Sequence, residues 1–123
     1  MADDPHLPRL AEIEAYGKGG FRFGGMSHRG SILCVPAGIW AWPVSAPDQI
    51  DEVALARLFA APRAELVLIG TGKQPWLMPE ALRWRFRDAR LRLEVTPTGA
   101  AVRTYNILFA EGRSVGAALI AVD

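Results

Sequence analysis

Hydrophobic and polar positions change rhythm twice along the chain. Between Ile13 and Val44, short β-prone segments at 13–16, 20–23, 31–35 and 39–44 alternate with the turns Gly17-Lys18-Gly19, Gly24-Gly25 and Pro36-Ala37-Gly38. Phe21 and Phe23 share one strand face, as do Trp40 and Trp42, because side chains alternate along a strand. After Val44 the spacing turns helical. Ile50, Val53, Ala54, Leu58 and Ala61 fall on one stripe, with Asp48 placed to cap its start and Pro62 to end it. Leu66-Val67-Leu68-Ile69 is an unbroken apolar run bounded by Gly70, the pattern of a strand covered on both faces. Pro79 opens a second helix with Leu82, Phe86 and Ala89 inward, although Arg83 to Arg87 alternates with the period of a strand. Leu91, Leu93 and Val95 form the next strand. Thr98 is placed to cap a third helix over 99–110, with Gly112 as its C′ residue, and 114–122 is the last strand.

Strands alternating with helices through short connections imply an α/β fold. The expected architecture is a single three-layer domain: a central mixed, mostly parallel sheet, helices on its faces and an N-terminal β-hairpin subdomain. Residues 1–8, broken by Pro5 and Pro8, read as a flexible arm, and 9–123 as the domain.

Composition narrows the function classes. The 123 residues are half hydrophobic, and 14 basic against 13 acidic side chains give a formal charge of +1. That balance offers no global attraction to nucleic acid or an anionic membrane, so neither partner is expected. A single cysteine, Cys34, excludes an internal disulfide framework and a cysteine-built zinc site. His6 and His28 lack metal-ligand spacing, and no cofactor is expected. The acidic, proline-broken start is unlike a signal peptide, and the longest apolar or glycine run, 115–122, is far short of the ~20 residues that cross a bilayer. A cytoplasmic protein without membrane insertion is expected.

Candidate chemistry gathers at two loops. Gly70-Thr71-Gly72-Lys73 follows a buried strand, where phosphate loops occur, but Val67 and Gln74 break the Walker pattern and Pro75 breaks the dinucleotide fingerprint. Thr96-Pro97-Thr98-Gly99 also follows a strand and opens a helix. If both strands are parallel, the loops share the carboxyl edge of the sheet, where open α/β folds place ligands. The third helix is apolar nearly all round, so Arg103 should be buried and either paired with an internal carboxylate such as Glu94 or lining a polar pocket. Gly70, Thr71, Gly72, Thr98, Gly99, Arg103 and Asn106 therefore outline a candidate pocket for a small anion or metabolite.

Other groups read as structural. Ser27 and His28 are neighbours on an extended segment and point to opposite faces, Cys34 sits in an apolar run, and Glu12 and Glu14 suit a solvated edge. No catalytic residue is assigned. Between Glu80 and Arg92, Arg83, Arg85, Arg87, Arg90 and Arg92 outweigh Glu80 and Asp88. Arg83, Arg87 and Arg90 are placed on one solvated helix face, with a docking surface for an acidic partner as the alternative, to which Trp76 and Met78 would contribute.

Three stretches in order carry a resemblance: IEAYGKGGFRFGGMSHRGSILCVPAGIWAWP at 13–43, ELVLIGTG at 65–72 and TGAAVRTYN at 98–106. Together they are similar to the small α/β family of unknown function that includes mitochondrial complex I assembly factor 3 and the adipogenesis-associated protein. The resemblance implies a three-layer fold with a mixed sheet and no established enzymatic activity, and it supplies no catalytic residues. It implies a non-catalytic interaction or assembly protein, with a respiratory complex subunit or assembly factor as partner. A free-standing form is expected, without the extension that targets the mitochondrial relative. The alternative is a small anion- or metabolite-binding protein, or an enzyme, using the pocket between the 70–72 and 98–106 loops.

Overall fold

The computed structural model describes residues 4–60 and 63–123. Its first three strands, β1 (Ile13–Gly17), β2 (Gly20–Phe23) and β3 (Met26–Arg29), form an antiparallel sheet in that order. The second sheet contains β4 (Ser31–Val35), β5 (Gly38–Trp42), β6 (Leu66–Gly70), β7 (Arg92–Thr96) and β8 (Val115–Leu119), ordered β5-β4-β8-β6-β7. Pairings of β6 with β7 and β8 are parallel, and those of β4 with β5 and β8 are antiparallel. Hence β5, β6, β7 and β8 run one way and β4 alone opposes them. Of the front segments, those at 31–35 and 39–44 extend the central sheet, and the earlier ones form the separate three-stranded sheet.

Alternation along the central strands divides the core into two layers. Val67 and Ile69 of β6 and Leu33 and Val35 of β4 face one cluster, with Leu55 and Leu58 of helix α1 (Ala56–Phe59) or the turn before it and Leu82 and Phe86 of helix α2 (Glu80–Asp88). Leu68, Ile32 and Cys34 face the other cluster, with Ala101, Val102 and Tyr105 of helix α3 (Thr98–Ala110) and Ile13, Phe21 and Phe23 of the three-stranded sheet. The connection from β6 to β7 moves one way across the sheet, and that from β7 to β8 moves back past β6. Right-handed crossovers then require α2 and α3 on opposite faces, as found.

Helix α3 ends as its sequence indicates. Gly112 has φ +75°, its N–H donates to Phe109 O, and the Arg113 N–H donates to Leu108 O, the paired bonds of a Schellman close. The helix expected from Asp48 differs. It is broken into a 3-10 turn at Pro47–Gln49, a further turn, and the four residues of α1. Asp51 Oδ1 accepts the Ala54 N–H at 2.8 Å, and Trp42 Nε1 donates to Ala54 O at 2.8 Å. These bonds engage groups that a continuous helix would use, and Val53 is left 84 % exposed. Ala61 and Pro62, expected to finish that helix, lie outside the described residues. Of the expected arm, residues 1–3 are likewise outside, whereas Leu7 bridges Ile39 and closes part of the β5 edge.

Candidate functional site

The ends of β6 and β7 meet the start of α3 in a closed junction. Thr98 Oγ1 accepts the Gly72 N–H at 2.9 Å and donates to Ile120 O at 2.7 Å, while the Thr98 N–H donates to Gly72 O at 2.9 Å. The Thr71 N–H reaches Thr96 O, and the Ile120 N–H reaches Gly70 O. One hydroxyl thus ties three parallel strand ends together. Gly70 permits this closeness, since a Cβ there would lie 3.0 Å from Thr98 Oγ1 and 2.9 Å from Leu119 Cδ2. Thr98 was expected to cap α3, but that position belongs to Pro97, and the Thr98 hydroxyl turns across the strand ends instead. Connections from β6 and β7 leave toward opposite faces, so their ends mark the place where an open α/β sheet offers a crevice. Here Thr98, wholly buried, fills it.

The remaining expected site residues diverge from this junction. Gly99 lies beneath Tyr16, whose hydroxyl would be 2.7 Å from an added Cβ. Arg103 is exposed, correcting the expectation of a buried guanidinium. The reason is one-sided coverage: α3 buries Thr98, Ala101, Val102 and Tyr105, while Ile107 remains 54 % exposed. Asn106 lies about 12 Å further along the helix axis than Thr98. Its Oδ1 accepts the Ile13 N–H and its Nδ2 donates to Ile13 O, both at 2.9 Å. That amide clasps β1 to α3. The structure therefore brings Gly70, Thr71, Gly72 and Thr98 into contact and directs Gly99, Arg103 and Asn106 elsewhere.

An open cavity of about 330 Å³ lies beside the junction, reached from the ends of β5, β6 and β8. Ser45, Gly72, Lys73, Trp76 and Asp123 are among its lining residues. Lys73 Nζ meets Asp123 Oδ2 at 3.0 Å with both side chains largely exposed, so this ion pair contributes little to stability. Of the expected pocket residues, Thr71 and Gly72 line this cavity, whereas Gly70, Thr98, Gly99, Arg103 and Asn106 do not; its Ser45–Pro47 wall depends on the direction of β5, which is not readable from its own residues.

Groups with reactive chemistry are engaged structurally. Burial pushes the Cys34 thiol up to about 12, partly offset by the Tyr105 hydroxyl. Burial, then Cys34, also raises Tyr105, whose hydroxyl donates to Ala11 O at 2.8 Å. His28 is held below its usual value by burial and then by His6, whose ring centroid is 4.7 Å away, against an opposing bond from Nε2–H to Ser31 O. Ser27 accepts a bond from Arg22 on the outer face. On α2, Arg85 pairs with Glu52 at 2.6 Å and lies over Phe59, and Arg87 lies over Trp84. Two expectations for this surface change: Arg90 lies beyond the end of the helix at φ +58°, and Met78 belongs to the core.

Residues 13–120 match the family model described as "Protein of unknown function (DUF498/DUF598)". The chain belongs to this family. An uncharacterised protein of Rhodobacter capsulatus is 32% identical over 117 residues, covering 95% of this chain and 90% of that one. A mouse relative named NADH dehydrogenase [ubiquinone] 1 alpha subcomplex assembly factor 3 is 34% identical over 93% of this chain, which spans 62% of the mouse protein. A crystal structure titled as an outer membrane protein from Bartonella henselae superposes with a TM-score of 0.91 at 44% identity, over 96% of this chain and all of that one. That structure thus shares the mixed α/β fold described above. Among the described residues no helix is long and apolar enough to cross a membrane.

Proposed function

We propose that this protein is a non-catalytic assembly factor for a respiratory complex of the NADH dehydrogenase type, acting through direct contact with a protein partner. The observation that carries this reading is its 34% identity to a protein named for that role, across 93% of this chain. Two polar groups of the expected pocket, Thr98 and Asn106, are bonded within the fold, which supports this reading over a ligand site built on them. Deleting the gene in its native host should deplete the assembled NADH dehydrogenase complex on native gels, with restoration by the plasmid-borne gene. An unchanged level of that complex would overturn the reading.

A second reading rests on the carboxyl-edge cavity beside Lys73: binding of a small anion or carboxylate metabolite there. Such a ligand would replace Asp123 at Lys73 Nζ and reach backbone groups of the 71–74 loop. Thermal shifts with inorganic phosphate and dicarboxylates, repeated on Lys73→Ala, test it. A stabilisation lost in Lys73→Ala supports the site, and no shift with any anion removes it.

A further inference from the structure

Strand β7 ends the five-stranded sheet, with β6 on one side and no strand on the other among the described residues. Its register against β6 pairs Leu66 with Arg92, Leu68 with Glu94 and Gly70 with Thr96. Thr96 O receives the Thr71 N–H, so Thr96 directs its backbone groups toward β6. Backbone groups alternate sides along a strand, which turns those of Arg92 and Glu94 inward as well. The N–H and C=O of Leu93 and Val95 consequently point to the open edge. Side chains alternate between the faces in the same way. Leu93 and Val95 are half-buried against the α2 layer, while Arg92 and Glu94 are exposed on the α3 side.

An exposed edge of this kind is a template for another strand. The segment Leu91-Arg92-Leu93-Glu94-Val95 is self-complementary in one antiparallel register only. With a two-fold axis at Leu93, Leu93 faces Leu93 of the second copy and the two residues can exchange both N–H···O=C bonds. Leu91 then faces Val95, and Arg92 faces Glu94, twice. Centring the axis on Arg92 or Glu94 opposes like charges. Centring it on Leu91 sets Arg92 against Arg90, and centring it on Val95 leaves Arg92 opposite the buried Thr98. A shift of one residue puts charged positions opposite apolar ones, because opposed side chains share a face. We propose that two copies of this chain associate through β7 in the Leu93-centred register, making one continuous ten-stranded sheet. This association stands independently of the assembly role and of the Lys73 cavity.

Opposite charges facing each other across antiparallel strands are favourable and like charges unfavourable. Arg92→Glu alone sets two glutamates opposite each other twice, and Glu94→Arg alone does the same with arginines. Each should weaken the dimer about tenfold or more. The double variant Arg92→Glu/Glu94→Arg restores opposite charges and should regain the dimer, a recovery that general damage to the fold would not produce. Sedimentation equilibrium on the wild type and the three variants reads these outcomes, with thermal melts to confirm folding. Amide exchange adds a measurement that needs no variant: the Leu93 N–H should exchange slowly at high protein concentration and fast on dilution. The proposal is overturned by a wild type of single-chain mass up to millimolar concentration, by single variants that dimerise as well as wild type, by a double variant that stays monomeric, or by a Leu93 amide indifferent to concentration.

Discussion

The two attachments of α3 use polar groups differently. At its start, Thr98 is wholly buried and holds Gly72 and Ile120 from the ends of β6 and β8. Further along, half-buried Asn106 holds the main chain of Ile13 and so moors the three-stranded sheet. The first contact lies inside a sheet whose strands already pair with one another. The second joins the helix to a separate sheet, helped by Tyr105 on Ala11 and by the Gly19 N–H on Val122 O. Similar hydrogen bonds should therefore fail differently: loss of the first strains the central sheet, and loss of the second frees a whole layer.

Thr98→Val gives the sharpest contrast. It keeps the shape but leaves the Gly72 N–H and Ile120 C=O buried without a partner, at about 1–3 kcal/mol each. Calorimetry should show a melting temperature lower by roughly 10 °C. Asn106→Ala removes both Ile13 bonds at a partly solvated site and should destabilise by about 1–3 kcal/mol. Its distinctive sign is faster amide exchange across β1 and β2, with β6 and β8 unchanged. Equal acceleration in all four strands would abolish the distinction between the two attachments.

A smaller effect comes from His28, which lies where the three-stranded sheet turns into β4. Its folded pKa is below 6.5, so the folded state holds fewer protons than the unfolded state as pH falls through that value. Stability is full above pH 6.5 and declines as pH drops from there toward the folded pKa. Melting curves between pH 8 and 5 should show this decline in the wild type and a shallower one in His6→Ala, which removes the neighbouring charge. Identical slopes would show that His6 has no part in it. Smallest of all, Arg103→Ala should change stability by less than about 0.5 kcal/mol, since the side chain is exposed. A larger loss would return Arg103 to a structural role.

These residues also show which parts of the fold the sequence discloses. The apolar run at 66–69 gave a doubly covered strand, and Gly112 gave the end of α3, because each signal is local. Pro79 with Leu82 and Phe86 correctly outweighed the alternating arginines of α2. Strand β3 carries no strand signal in its sequence, because its inward positions are Met26 and His28 rather than a run of β-branched residues. The early helix is shorter than its apolar stripe implies, because its competitors, Asp51 and Trp42, act through side-chain bonds that a hydrophobic stripe does not record. Site residues were half legible: glycine and threonine at strand ends marked the junction, but whether it stood open depended on where the Thr98 hydroxyl pointed. The exposure of Arg103 is hidden in the sequence for a related reason, since an apolar composition does not say how many sides of a helix are covered.

Cys34 turns the core into a clock. It is the chain's single thiol, fully buried between the central sheet and α3 with its ionisation pushed up to about 12. An alkylating dye can reach it only after those layers part, and the layers moored by Asn106 and tied by Thr98 enclose it together. At dye concentrations where labelling outpaces reclosing, its rate in native buffer therefore reads how often the core opens, without denaturant and without an introduced probe.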